Sequence, residues 1–212
     1  MGQKINPFAF RLGVMPGYNW QSRWFANRRK YKDYLLEDIK LRRFLLAKLK
    51  PAGITEVDIE RSANKMRVLV YISRPGMVIG RRGSGLEDLK KLIEKQVKIP
   101  HPEKNITVEP IEVKDPDLSA YLVAGRISEQ LEKRMPHRRV VGKTMERVLE
   151  AGARGIKVDL GGRIGGIEIS RREKFFKGTI PLSTLRAKID YASVPALTRS
   201  GYVGVKVWIY KE

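Results

Sequence analysis

The sequence predicts an α+β protein in which a basic N-terminal arm precedes two domains that each combine helices with a β-sheet. The chain has 212 residues, a length that suits one or two domains. Its hydrophobic fraction of 42% is sufficient for a buried core. Pro110 and Pro116 interrupt the chain between two stretches that each mix helical and alternating apolar patterns. We therefore expect an extended arm at residues 1–28, a first domain at 29–110 and a second domain at 111–212.

The arm at residues 1–28 lacks the periodicity of a helix or a strand, because prolines and glycines interrupt it. Tryptophans alternate with arginines there, and residues 1–50 hold 12 basic and 3 acidic residues. Such a segment is expected to become ordered against an acidic partner. The arm residues expected to bind that partner are Lys4, Arg11, Trp20, Arg23, Trp24, Arg28 and Arg29.

The first domain is predicted to follow the order helix–strand–strand–helix–helix–strand. Leu35, Ile39, Leu46 and Leu49 recur at helical spacing, and Pro51 ends this helix. Alternating apolar residues predict strands near 57–59, 66–72 and 106–108, and an apolar face predicts a helix at about 85–98.

A glycine-rich turn, Gly80-Arg81-Arg82-Gly83, precedes that helix. Because its glycines lack Cβ atoms, the backbone can approach a sugar–phosphate chain, and the amides of the next helix can bind phosphate. Arg81 and Arg82 add two cations at the tip. In this position the turn is typical of a type II KH domain, whose GXXG loop clamps about four nucleotides of RNA. The alternative is an ordinary connection between helices with solvated arginines.

The second domain is predicted to contain two helices packed on a four-stranded sheet. Apolar patterns indicate a helix at about 117–135 and another that ends near 151, with Pro136 between them. Four strand-like runs follow near 155–160, 164–171, 185–191 and 202–210.

The second of these helices carries a basic patch, Arg138, Arg139 and Lys143, opposite an apolar row. Cations near the N-terminus of a helix oppose its dipole, so helix stability would favour acidic residues there. The placement of the patch therefore favours contact with a polyanion. The alternative is a solvated face, in which Glu146 and Glu150 pair with neighbouring cations.

Charge and composition restrict the classes of function. The formal net charge of +20 indicates an acidic partner, either nucleic acid or an anionic membrane surface. The absence of Cys excludes thiolate catalysis, Fe–S clusters and Cys-ligated zinc, and two His residues 36 positions apart predict no multi-histidine metal site. No run of apolar residues is long enough for a membrane span, and no secretory signal is recognised. The sequence predicts a cytoplasmic, non-enzymatic protein without cofactor, metal or small-molecule substrate.

Short motifs spread along the chain are similar to those of a known family. They include Arg11-Leu12-Gly13, Trp24-Phe25-Ala26, Arg74-Pro75-Gly76, Gly162-Arg163-Ile164-Gly165-Gly166 and Gly204-Val205-Lys206-Val207-Trp208. By these motifs the chain resembles the bacterial small-subunit ribosomal protein S three family over essentially its whole length.

The resemblance implies a structural protein of the small-subunit head that binds rRNA and has small-subunit proteins ten and fourteen as neighbours. It also implies that the second domain lines the channel through which mRNA enters, where basic residues help to hold and unwind the message. Arg138 and Arg139 match two of those residues, and Lys143 lies next to the third position, which is Gly142 here. The competing function is a free-standing KH regulator of single-stranded RNA, for which a Trp- and Arg-rich arm has no evident use.

Overall fold

A computed structural model of the chain describes residues 4–15, 18–62, 65–80, 83–97 and 105–211. The chain forms two compact units. One combines Met1–Asn19 with Asp115–Glu212, and the other spans Trp20–Lys114. The segment expected to be a single extended arm is thus divided, and its two halves pack against different cores.

The first half of that segment contains a short helix, α1 (Pro7–Arg11). The side chain of Asn6 accepts a hydrogen bond from the amide of Phe8 at 2.9 Å, and Pro7 occupies the first helical position. A capping side chain followed by proline is a strong local signal for the start of a helix.

The unit Trp20–Lys114 contains one four-stranded sheet and three helices among the residues described. Its elements are β1 (Ser22–Arg23), α2 (Arg28–Lys48), β2 (Ile54–Arg61), β3 (Met66–Ile72), α3 (Pro75–Ile79), α4 (Ser84–Glu94) and β4 (Ile106–Glu112). The strand order is β1-β2-β3-β4, with β2 and β3 antiparallel and the two outer pairs parallel. The predicted order helix–strand–strand–helix–helix–strand is confirmed, and β1 is an additional strand.

The buried face of α2 differs from the predicted apolar row. Its buried residues are Asp38, Leu41 and Leu45, whereas Leu35 is 38% exposed. The prediction was wrong because a hydropathy pattern assigns an acidic residue to the solvent side of a helix. Asp38 is completely buried, and this requires partners that the local sequence does not reveal.

Those partners come from three parts of the unit. The carboxylate of Asp38 accepts hydrogen bonds from the Ser22 hydroxyl at 2.9 Å and the Trp24 indole at 2.8 Å. Arg61 donates to it from Nε at 3.0 Å and Nη2 at 2.6 Å. The Arg61 guanidinium also lies 4.8 Å from the centre of the Tyr34 ring. This buried cluster fastens the segment around β1 to α2 and β2.

Among the residues described, the other unit contains two α-helices and an antiparallel sheet in addition to α1. Its elements are α5 (Ala120–Glu132), α6 (His137–Glu150), β5 (Gly155–Gly162), β6 (Arg171–Gly178), β7 (Lys188–Thr198) and β8 (Gly201–Lys211). The strand order is β6-β5-β8-β7. Apolar residues of both helices pack with the inward-facing residues of the sheet in one core, as predicted.

Two of the four predicted strands are displaced in the structure. The predicted strand at 164–171 begins with a turn, because Gly165 and Gly166 adopt φ values of 72° and 86° that belong to the left-handed region. The strand that follows is β6, whose residues are mostly charged and exposed. Because β6 lies at the edge of the sheet and exposes one face, its sequence lacks the apolar alternation of a central strand. The strand predicted at 185–191 begins at Lys188 and extends to Thr198.

We predict that Asp38→Asn lowers the free energy of unfolding of the unit Trp20–Lys114 by about 3 kcal/mol. The amide has the shape of the carboxylate but no charge, so the buried Arg61 guanidinium keeps only Glu37, at 2.9 Å, as a charged partner. Urea unfolding of the full chain, followed by tryptophan fluorescence and circular dichroism, measures the change. Asp33→Asn is the matched control, because Asp33 is exposed on the same helix and should change stability by less than about 0.5 kcal/mol. Equal losses in the two variants would contradict the role given to Asp38.

Candidate nucleic-acid interface

The glycine-rich turn lies between α3 and α4. Gly80 ends α3 with φ 69°, and Gly83 precedes α4 with φ 83°. L-residues with a side chain rarely adopt these values, so both positions favour glycine. Arg81 and Arg82, the predicted phosphate-binding cations, lie outside the described residues.

The start of α4 has the chemistry that a phosphate requires. Its N-cap is Gly83, and no side chain caps the helix. The first amides of a helix have no partner within the helix and carry the positive end of its dipole, so they can donate to an anion. A GXXG loop uses backbone donors at the start of the helix that follows it. The start of α4, directly after Gly83, presents such donors at the same position.

Gly85 is a position of close backbone packing beside the turn, and the sequence reasoning did not select it. A Cβ at Gly85 would lie 2.5 Å from the Val78 carbonyl oxygen and 3.2 Å from that of Ile79. The absence of a side chain here lets α4 approach the end of α3 closely. A third glycine two residues after Gly83 was the available signal, since extra glycines in a turn indicate close backbone approach.

The basic patch on α6 is exposed and has no carboxylate partner in the part of the chain that the structure describes. Arg138, Arg139 and Lys143 are all exposed, and none forms a salt bridge with a carboxylate of the described residues. The first turn of α6 contains no acidic residue. Glu146, the neighbour that would pair with Lys143 on a solvated face, instead contacts Lys177 of β6 at 3.2 Å.

Packing fixes the orientation of the patch. Val140, Val141, Met145 and Val148 of α6 are buried in the core of the unit, as the predicted apolar row requires. At the first residue of the helix, His137 Nε2 lies 3.0 Å from a carboxylate oxygen of Glu173 on β6. With one face buried and its first residue bound to the sheet, α6 holds the basic patch on the solvent side.

The structure gives Arg11, one of the arm residues predicted to bind RNA, acceptors within the chain. Its side chain is completely buried, and the guanidinium donates to five backbone carbonyls. The acceptors are Pro7 at 3.0 Å, Pro181 at 3.3 Å, Leu182 at 3.1 Å, Thr184 at 2.9 Å and Ala187 at 2.8 Å. Arg11 therefore fastens α1 to the loop before β7.

Arg23 and Trp24 also have intramolecular partners. Arg23 forms salt bridges with Asp58 at 3.1 Å and Glu60 at 3.0 Å, and Trp24 donates to Asp38. Burial raises the pKa of Asp58 above its ordinary value, and the Arg23 charge acts in the opposite direction. Arg23 belongs to the edge strand β1, and Trp24 belongs to the polar cluster around Asp38. Both side chains therefore have a structural role within the unit.

Four of the seven predicted arm residues remain available to a partner. Lys4, Trp20, Arg28 and Arg29 are exposed, and Trp20 retains 69% of its surface. Phe25, which the sequence reasoning did not select, is 92% exposed. An exposed aromatic ring beside arginines can stack on a nucleic-acid base.

The described residues contain no group of three or more His, Cys, Asp or Glu residues placed to hold a metal ion. None of the helices in the described ranges has the length and apolar character needed to cross a membrane. The features that remain for the site are backbone donors, cations and exposed aromatic rings.

Comparison with known proteins matches both units. The family model "KH domain" matches residues 40–118, and "Ribosomal protein S3, C-terminal domain" matches residues 127–209. The small ribosomal subunit protein uS3 of Persephonella marina is 47% identical over 211 residues, which cover 100% of this chain and 90% of that protein. The chain belongs to the ribosomal protein S3 family.

Other members of this family are similarly close. The uS3 proteins of Caldicellulosiruptor saccharolyticus and Clostridium novyi are 48% and 44% identical, and the alignments cover 100% of this chain and 92% and 93% of theirs. Membership in the ribosomal protein S3 family makes the chain a structural, non-enzymatic constituent of the small ribosomal subunit, with an RNA-binding KH domain.

We predict that Gly85→Ala weakens RNA binding and lowers the free energy of unfolding by about 1–3 kcal/mol. The added methyl group overlaps the Val78 carbonyl, so α4 must move away from α3 and distort the turn between them. Fluorescence anisotropy with a short single-stranded RNA and urea unfolding of the full chain measure the two effects. The control is Gly76→Ala in α3, where a Cβ meets no atom within 4 Å. Identical behaviour of the two variants would contradict close packing at Gly85.

Proposed function

We propose that Arg138, Arg139 and Lys143 form part of the channel through which mRNA enters the small subunit, and that they help to hold and unwind the message. The observation that supports this proposal most directly is the lack of carboxylate partners for these three exposed cations among the described residues. Three fixed positive charges on one helix are suited to the phosphates of an RNA strand, whatever its sequence.

The physical basis of unwinding is retention of one strand. Cations that bind the backbone of an incoming strand oppose its return to a duplex, because pairing requires the strand to leave them. Phosphate contacts carry no base preference, which suits a channel that accepts every message. The rigid attachment of α6 through its buried face keeps the cations at fixed spacing while the strand moves past them.

Gly142 is the position where this chain departs from the pattern that its resemblance to the family implies. At about 100° per residue, a side chain at 142 would lie between Arg138 and Arg139 around the helix axis. Lys143 lies about 40° beyond Arg139. We propose that Lys143 serves as the third cation at the edge of the same face.

The other predicted contacts complete the proposal. The turn Gly80–Gly83, with Arg81 and Arg82, contacts RNA through backbone amides and cations. Lys4, Trp20, Arg28 and Arg29 contact rRNA. Small-subunit proteins ten and fourteen are neighbours in the head, and the ribosome that holds the chain is cytoplasmic. These assignments follow from the resemblance to the family and from the exposure of the side chains that the structure describes.

We predict that Arg138→Ala combined with Arg139→Ala slows translation of messages with a stable hairpin several-fold and leaves unstructured messages nearly unchanged. Two phosphate contacts are lost, and only a structured message depends on them for strand separation. Single-round translation with purified ribosomes carrying the variant measures both rates.

The matched control is Arg67→Ala with Arg126→Ala. These arginines already pair with Glu109 and Asp117, so the control removes the same charge from positions that are neutralised within the chain. Sedimentation with small subunits should be the same for all variants. Equal slowing of structured and unstructured messages would contradict the proposal.

We also predict that Gly142→Lys increases the translation rate through hairpins and raises the stability of α6 by about 0.5–1 kcal/mol. A Cβ at 142 meets no atom within 4 Å, and lysine has a higher helix propensity than glycine. Gly125→Lys in α5 is the control, because its Cβ position is equally open and the added charge is the same. If both variants translated hairpin messages faster, the added positive charge alone would explain the gain. That result would contradict a third RNA contact at position 142.

A further inference from the structure

The sheet of β5 to β8 has two faces, and only one packs on α5 and α6. Ile156 and Val158 of β5 and Val205 and Val207 of β8 face the helices in the core. Alternate residues of a strand point to opposite sides of the sheet. Lys157, Asp159 and Lys206 therefore lie on the other side, which we call the outer face.

Cations line the outer face across three strands. In the register of the sheet, Asp159 pairs with Lys174 of β6 on one side and with Lys206 of β8 on the other. In the next row Lys157 lies between Phe176 and Trp208, with its ammonium group 5.2 Å from the centre of the Trp208 ring. Directly paired residues share a face of the sheet. On this face Asp159 and Trp208 are buried, whereas Lys174, Phe176 and Lys206 are exposed.

The acid in the middle of this surface does not neutralise the lysines beside it. Asp159 is 3% exposed, and the Nε of Arg172 lies 2.8 Å and 2.9 Å from its two carboxylate oxygens. Lys157, Lys174 and Lys206 form no salt bridge with a carboxylate in the described part of the chain. Asp159 stands opposite Lys174 and Lys206 in the register of the sheet, but its carboxylate is bound by Arg172.

Lys4 of the N-terminal segment adds a further positive charge near Lys157. Burial lowers the pKa of Lys157, and the neighbouring charges of Lys4 and Lys174 lower it further, against the influence of Asp159. Like charges on one face of a sheet repel one another, and a phosphate placed among them would relieve that repulsion.

We propose that this outer face is a second RNA-binding surface of the chain, in which Lys4, Lys157, Lys174 and Lys206 contact phosphates and Phe176 stacks on a base. Phe176 is 74% exposed on the face that carries the lysines. Aromatic rings among cations on an open sheet are a common arrangement for binding single-stranded RNA. An acidic protein segment would satisfy the charges but would leave the exposed phenyl ring without a function. The surface is separate from the basic patch on α6, which lies on the opposite side of the sheet.

Two variants with equal charge loss on the same two strands test the proposal. Lys174→Gln with Lys206→Gln removes two outer-face cations of β6 and β8. Lys177→Gln with Lys211→Gln removes two cations of the same strands that already pair with Glu146 and Asp190. The probe is a transcript of the small-subunit rRNA, and its affinity for the full chain is measured by filter binding between about 50 and 300 mM salt.

We expect the outer-face variant to reduce the slope of log K against log [salt] by about two and to weaken binding tenfold or more. The control variant should stay within about twofold of the unsubstituted chain. Phe176→Leu keeps an apolar side chain but loses the stacking surface, and it should weaken binding about fivefold or more without changing the slope. Equal slopes for the outer-face variant and its control would overturn the proposal, while the translation assay on Arg138 and Arg139 would be unaffected by that outcome.

Lysine acylation followed by mass spectrometry distinguishes an RNA occupant from a protein occupant in assembled subunits. Lys174 and Lys206 should react in the isolated chain, be protected in intact subunits, and become reactive again after nuclease digestion. Reactivity in intact subunits would overturn the proposal. Protection that survives complete removal of RNA would also overturn it, because it would identify a neighbouring protein as the occupant.

Discussion

The buried carboxylate of Asp38 is the interaction on which the unit Trp20–Lys114 depends. It brings Ser22 and Trp24, the helix α2 and Arg61 of β2 to one point in the interior. A buried carboxylate is costly unless donors surround it, so the cluster forms as a whole or not at all. The cluster holds the segment around Ser22 and Arg23, which lacks periodicity, as a parallel edge strand beside β2. It thereby fixes where the chain enters the KH domain.

In the other unit a buried cation, Arg11, has the role that the buried carboxylate of Asp38 has in the first. It attaches α1 to the loop before β7. Its guanidinium is satisfied by backbone carbonyls of α1 and of the loop before β7. Together the two groups explain why several Arg and Trp side chains of this segment have partners within the chain. A positive charge in the sequence is available to RNA only where the fold has not already given it an acceptor, and Arg11, Arg23, Arg61 and Arg172 all have acceptors within the chain.

The cations that remain lie on rigid supports. The patch on α6 is held by the buried face of its helix, and the outer-face lysines are held by three paired strands. In both places a neighbouring acid is taken by another partner: Glu146 by Lys177, and Asp159 by Arg172. This pattern leaves positive charge uncompensated at defined positions, which is what binding to a phosphate backbone requires. The glycines of the α3–α4 turn add a different element, because they precede the first turn of α4, which no side chain caps.

The sequence by itself determined the fold class, the order of elements in the KH domain and the orientation of α6, because apolar periodicity and turn residues act over a few neighbouring positions. It also located the glycine turn, although not the close packing at Gly85. Only the tertiary structure decided that Asp38 is buried, that the Arg11 guanidinium is bound by backbone carbonyls, and that Lys143 has no acidic partner in the described part of the chain. Those outcomes depend on contacts between residues far apart in the chain, such as Arg11 with Ala187 and Glu146 with Lys177. Local sequence shows where a charge is, but the packing of distant segments decides whether that charge is already satisfied.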